Sequence, residues 1–237
     1  AAPVKCRDML ILSLETSTEL GSCALFQDGE LIERICPAGR SHSETLLPLI
    51  RELMLEAGLG FAQLDAIAFG AGPGAFTGLR VACGIAQGLA VARDLPLVPV
   101  TSLETMAVMT GESRVLALLD ARMGEVYHAA YVKNSREWQT MLEPGLYKPE
   151  AVPAVAGADW IAAGSGWQTY GEQLSQVYRG QLQQVMPELL PSAEALLRLA
   201  EPIFASGQAR PAAEAMPIYI RNRVALKTAE REQGLRI

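Results

Sequence analysis

An eight-residue pattern in this chain recurs with five of its eight residues identical. Asp65-Ala-Ile-Ala-Phe-Gly-Ala-Gly72 returns as Asp159-Trp-Ile-Ala-Ala-Gly-Ser-Gly166, apolar at both places between an aspartate and a glycine turn. Asp65–Gly70 reads as a short buried strand, and a helical stretch follows each copy. The elements upstream repeat too. Met9–Leu14 (MLILSL) is an apolar run typical of a buried strand. The small polar turn Glu15–Gly21 leads to a strand over Ser22–Phe26, and Asp28-Gly29 signals a tight hairpin into an alternating strand, Glu30–Cys36. A helix starts either at Ser41-His-Ser-Glu44, which has the form of a capping box, or at Thr45, which puts Pro48 in the first turn. It stops at Gly58. Ala71–Ala75 is a turn, a helix runs from about Phe76 to Arg93, and Leu97–Val100 closes the unit: β-β-β-α-β-α-β.

The second half follows the same order. Val115–Leu119 ends in Asp120 where the first strand ended in Glu15, and a short turn reaches Gly124, matching Gly21. Glu125–Val132 alternates, Lys133–Arg136 turns, and a third strand lies near Trp138–Leu142. Only Glu143–Ala158 separate it from the next strand, room for one short helix. The prediction is an α/β chain of two duplicated lobes, the second truncated. The first spans 1–101, with 217–237 a candidate to pack back on it, and the second spans 102–216. This unit, present twice, resembles the actin, Hsp70 and sugar-kinase fold. There the first turn of each lobe approaches a nucleotide's phosphates, and glycines let backbone N–H groups come close to an anion.

With 237 residues, 50% hydrophobic and 19% charged, either lobe can bury a core. No apolar run nears the roughly 18 residues needed to cross a bilayer, and residues 1–8 lack the apolar core of a secretory leader. Cys6, Cys23, Cys36 and Cys83 form no CxxC and read as buried free thiols of a reducing, cytoplasmic compartment. A net charge of −6 argues against gripping a phosphate backbone alone. The tail from Arg221 to Arg236 is the basic exception and reads as a solvated end.

Gly70-Ala-Gly-Pro-Gly-Ala-Phe-Thr-Gly-Leu-Arg80 is the most distinctive stretch. A glycine turn opening a helix suits phosphate, but no Gly-Lys-Ser/Thr follows and no lysine lies between Lys5 and Lys133, so a tight structural turn is the rival reading. The helix after it holds Gly84 and Gly88, each costing on the order of 1 kcal/mol relative to alanine. Close approach of another helix, within the fold or from a partner, would offset that. The preceding helix is apolar on two faces, Leu46, Leu49, Ile50 and Leu53 on one and Leu47 and Met54 on the other, whereas a surface helix needs one. The candidate partner-binding residues are therefore Leu46, Leu49, Ile50, Leu53 and Met54 with Phe76, Arg80, Gly84 and Gly88.

Catalytic constellations are thin. The two histidines, His42 and His128, have no second ligand at metal spacing, and no GxSxG is present, so neither a catalytic nor a metal site is expected. Glu15, Thr16 and Asp120 are weak candidates to meet a nucleotide or its magnesium; Asp120-Ala-Arg122 also reads as an aspartate capped by its neighbour.

Ile11-Leu-Ser-Leu-Glu-Thr-Ser-Thr-Glu19, Gly39-Arg-Ser-His-Ser-Glu-Thr-Leu-Leu-Pro48, the glycine stretch to Arg80, Gly84–Ala90, Leu119–Tyr127 and Pro217-Ile-Tyr-Ile-Arg221 together resemble the TsaB (YeaZ) family. Glu15 stands where aspartate is usual, and residues 143–215 match loosely. The resemblance implies a non-catalytic partner of TsaD, which carries the metal and transfers a threonylcarbamoyl group from an adenylate made by TsaC to tRNA adenosine beside the anticodon. It also implies TsaE, a small ATPase, as a further partner. A homodimer would form through the first-lobe helices, tRNA contact would be indirect, and any nucleotide would bind only in the assembled complex. The rival readings are an autonomous ATP-binding kinase or ATPase of the same fold, which the truncated second lobe weakens, and a protease.

Overall fold

The computed structural model describes residues 9–27, 30–135 and 137–221. They form two units. One runs to Gly111 and takes in Leu189–Ile218; the other holds Glu112–Glu188 and residues 219–221.

The first sheet comprises β1 (Ile11–Glu15), β2 (Ser22–Gln27), β3 (Glu30–Ile35), β4 (Ala66–Gly72) and β5 (Leu97–Thr101). Their order is β3-β2-β1-β4-β5, with β1 antiparallel to β2 and parallel to β4. Helices α1 (His42–Glu56), α2 (Phe76–Arg93) and α3 (Ser102–Met109) belong to this unit. The second sheet comprises β6 (Arg114–Asp120), β7 (Val126–Asn134), β8 (Glu137–Tyr147), β9 (Trp160–Ala163) and β10 (Leu182–Met186). Its order, β10-β9-β6-β7-β8, repeats the first when read from the other edge. Both lobes thus have the duplicated actin-like topology expected from the repeat. α4 (Ser165–Val177) joins β9 to β10, but where the first lobe has α1 the second has only a 3₁₀ turn at Pro149–Ala151.

Why β1 is apolar throughout follows from its neighbours. All five residues are buried. Leu12 and Leu14 pack with Leu46, Ile50 and Leu53 of α1 and with Ala82 and Ala86 of α2. Side chains alternate across a strand, so Ser13 and Glu15 point to the other face. There the Ser13 hydroxyl donates to the Ala193 carbonyl at 2.7 Å.

That contact belongs to α5 (Ala193–Ala205), which packs on β1, β2 and β4. Its free N-terminal N–H groups are taken by three side chains: Ala193 donates to Ser22 Oγ (2.8 Å), Glu194 to Glu33 Oε1 (3.1 Å) and Ala195 to Ser192 Oγ (3.3 Å). Two of the three acceptors come from β2 and β3. The expected boundary of 102–216 for the second lobe is therefore corrected: α3 and α5 belong to the first. Amphipathic spacing shows that a helix has an apolar face but not which sheet it covers.

In the second unit a segment without regular structure stands in for the missing helix, and side chains satisfy its carbonyls. Tyr178 donates to Pro153 (2.9 Å), Gln181 to Val155 (2.6 Å) and Gly157 (2.9 Å), Trp160 to Ala156 (3.1 Å) and Arg114 to Ala158 (2.8 Å). His128 is fully buried beside them, Nδ1 3.1 Å from the Ala117 carbonyl and Nε2 2.9 Å from the Tyr178 hydroxyl. Burial pushes its pKa down to about 4, against the pull of the Ala117 carbonyl.

Ser41 is the N-cap of α1, yet no capping box forms: its hydroxyl lies 2.6 Å from Ser43 Oγ, and Thr45 donates back to the Ser41 carbonyl at 2.9 Å. Pro48 lies inside the helix rather than in its first turn. Cys23, Cys36 and Cys83 are free and buried. Cys6, the Asp28-Gly29 turn and the tail beyond Arg221 lie outside the described residues. Among those described, no helix is long and apolar enough to cross a membrane.

Candidate functional site

The first-lobe turn after β1 is closed upon itself. Glu15 is fully buried; its Oε1 accepts from the Ser17 backbone N–H at 2.6 Å and its Oε2 from the Ser102 hydroxyl of α3 at 3.1 Å. Burial raises the Glu15 pKa, and the hydrogen bonds from Ser17, Ser102 and Thr16 offset part of that rise. Thr16 donates through Oγ1 to the Gly78 carbonyl at 2.7 Å, and the Ala75 N–H reaches the Ser17 carbonyl at 2.7 Å. A Cβ at Gly70 would strike the Glu15 carboxylate, one at Gly74 the Ser17 carbonyl and one at Gly78 the Thr16 carbonyl. Of the two readings of this glycine stretch, the tight structural turn is the one the geometry matches. Its glycines admit the protein's own backbone.

The second-lobe turn after β6 is built differently. Asp120 accepts from the Arg122 backbone N–H at 2.8 Å and from its guanidinium at 3.1 Å, with the Tyr170 hydroxyl at 3.4 Å. Arg122, Met123 and Gly124 follow in the left-handed region at φ 61°, 58° and 73°. Arg221 secures the turn from outside, donating to the Ala121 carbonyl at 3.0 Å and pairing with Glu125 at 2.8 Å. With its side chain only 10% exposed, Arg221 departs from the solvated end expected of it. Among the described residues no group of three or more His, Cys, Asp or Glu is placed to hold a metal.

The outer face of α2 is the remaining candidate. Gly84 and Gly88 are exposed, and a Cβ at either would have nothing within 4 Å. Packing among the described residues therefore does not account for either glycine. Arg80 is exposed, its guanidinium 3.7 Å above the half-buried Phe76 ring. Leu47 and Leu55 of α1 and Val91 of α2 are exposed at 37%, 78% and 74%. The expectation for α1 needs correction: Leu46, Ile50, Leu53 and Met54 are buried against their own sheet and cannot face a partner, while Leu49 is half-buried. The outward α1 positions are Leu47, which the sequence puts on the second apolar face but not among the partner-binding residues, and Leu55, which the reading does not name.

A family model described as TsaD, tRNA N6-adenosine threonylcarbamoyltransferase, matches residues 36–223. The Escherichia coli tRNA threonylcarbamoyladenosine biosynthesis protein TsaB is 38% identical over 233 residues, 92% of this chain and 97% of that protein. The chain belongs to the TsaB (YeaZ) family. A TsaB of Haemophilus influenzae is 36% identical over 234 residues, covering 93% and 97% of the two chains. Among solved structures, YeaZ from Pseudomonas aeruginosa is 40% identical with a TM-score of 0.83, covering 89% of this chain and 99% of that one.

Within this TsaB-family chain, two residues that shape the turns went unseen as such. Ser102 carries no local signal, because its partner is 87 residues away. Arg221 stood in view inside Pro217-Ile-Tyr-Ile-Arg221, but nothing in its spacing pairs it with residues 121–125.

Proposed function

We propose that this chain is the non-catalytic, activating partner of a TsaD-type transferase that forms N6-threonylcarbamoyladenosine beside the anticodon of tRNA. It docks through the outer face of α2 and the exposed side of α1, the surface that also serves a homodimer. A TsaE-type ATPase joins the assembly, and tRNA is contacted mainly by the partners. The observation carrying this reading is the pair of exposed glycines, Gly84 and Gly88, on a helix face where, among the described residues, nothing lies within 4 Å of a Cβ at either. Helix-interior glycine is unfavourable alone, and close approach of a partner helix gives it a use. Relatives named for tRNA threonylcarbamoyladenosine biosynthesis supply the pathway. Glu15, the carboxylate at the end of β1, is engaged by Ser17 and Ser102, which supports a role other than catalysis.

The test is modification of tRNA by purified TsaC, TsaD and TsaE with ATP, threonine and bicarbonate, with and without this chain. Modification should need the chain, and the chain alone should neither modify tRNA nor turn over ATP. Unchanged modification without it would overturn the reading. Gly88→Glu and Leu49→Glu should abolish association on a sizing column while leaving the circular dichroism spectrum intact.

A further inference from the structure

The turn Ala121–Glu125 is an expensive way to join β6 to β7. The non-glycine residues with positive φ among those described are Asp94, Arg122, Met123, Ser135 and Asp159. Asp and Asn tolerate that region through local hydrogen bonds, whereas long side chains do so poorly. Arg122 and Met123 are the adjacent pair, and both are long. Strain of this kind persists only where surroundings over-determine it, and it gathers at functional places.

Here the surroundings are the local Asp120 carboxylate, which accepts from the Arg122 backbone N–H at 2.8 Å, and one side chain from far along the chain. The Arg221 guanidinium meets the Ala121 carbonyl at 3.0 Å, the Arg122 carbonyl at 3.4 Å, Met123 Sδ at 3.1 Å and Glu125 Oε2 at 2.8 Å. What the clamped turn presents is Met123, 48% exposed, beside the Arg122 side chain, 84% exposed. The Arg122 charge is matched by Asp120 and that of Arg221 by Glu125. The tip is therefore an apolar, polarisable knob within a charge-balanced rim. That suits an apolar recess on a protein and gives little to a polyanion.

We infer that Arg221 is a positioning residue that holds the 121–125 turn so that Met123 forms a second contact with the partner subunit, separate from the α2 face. This rests on the partner-subunit reading. The test measures affinity of the full chain for the purified TsaD-type partner, with thermal melting of each variant alongside. Met123→Asn places a residue that accepts left-handed φ, so its melting temperature should equal or exceed the wild type while affinity falls about tenfold. Arg221→Lys keeps the charge but loses the fork, and should weaken binding similarly. The double variant should bind no more weakly than either alone, because Arg221 acts through Met123.

Wild-type affinity in Met123→Asn would overturn the inference and leave the partner reading standing. Additive losses in the double variant would overturn the positioning role of Arg221. Absence of binding by the wild-type chain would overturn the partner reading itself, and this inference with it.

Discussion

The two lobes share one strand order but secure the equivalent turn by opposite means. After β1 the turn is held by removal of side chains: Gly70, Gly74 and Gly78 let the following loop and helix press onto residues 15–17. After β6 the turn gains a side chain: beside the local Asp120 contacts, the Arg221 guanidinium reaches back 100 residues to Ala121. A Cβ at Gly124 would meet nothing within 4 Å. The lesson is that a duplicated unit keeps its topology through its strands, while its turns are free to take different occupants. In the first lobe the occupants are the protein's own groups, the Ser17 and Thr16 carbonyls and the Glu15 carboxylate.

The hardest way to break that contrast is a single methyl group. Gly78→Ala aims a Cβ at the Thr16 carbonyl, which belongs to buried backbone and has little room to yield. Overpacking of this kind costs about 3 kcal/mol, and thermal unfolding should show it as a large fall in melting temperature. Gly124→Ala should cost only the backbone preference at φ 73°, about 1 kcal/mol. Equal losses in the two variants would mean that the first turn is not closed as described.

Acid separates the lobes next. His128 in the second lobe has a folded pKa of about 4 against an ordinary 6.5, so between these values the unfolded chain binds a proton that the folded one does not. Stability must then fall as pH drops from 6.5 to 4, by roughly 3 kcal/mol over the window. Glu15 in the first lobe works the other way. Its folded pKa is raised, so its contribution is present in acid and is lost as pH climbs through the folded value. Acid should therefore loosen the second lobe first, seen as earlier loss of amide-exchange protection in β6 and β7. His128→Gln should flatten the pH dependence; an unchanged slope would remove His128 as its source.

How much of this was legible beforehand differs between local and long-range features. Periodicity placed β1, β2, β4, β5 and α2 within a few residues, because each is buried on a face its own sequence encodes. The repeat of 65–72 at 159–166 carried the second sheet as well. What stayed hidden depended on partners far along the chain: Ser102 on Glu15, Arg221 on the 121–125 turn, and α5 crossing to β2 and β3. The α1 residues show a subtler limit. Leu46, Ile50, Leu53 and Met54 and the outward Leu47 and Leu55 are all apolar, and composition does not rank two apolar faces by which one is covered at home.

The smallest expected effect sharpens the contrast most, because it comes from the same helix as the largest. Gly84 lies six residues after Gly78 on α2, and a Cβ there meets nothing within 4 Å. In the isolated chain Gly84→Ala should therefore stabilise, by up to about 1 kcal/mol, since alanine loses less conformational freedom in a helix. For a chain of this size that is a rise of about 2–4 °C in melting temperature. If the face receives a partner helix at close range, the same methyl group intrudes and association should weaken. Higher melting temperature with weaker association marks a glycine kept for a partner. A higher melting temperature with association unchanged would leave Gly84 without a use and turn the interface toward Phe76 and Arg80 instead.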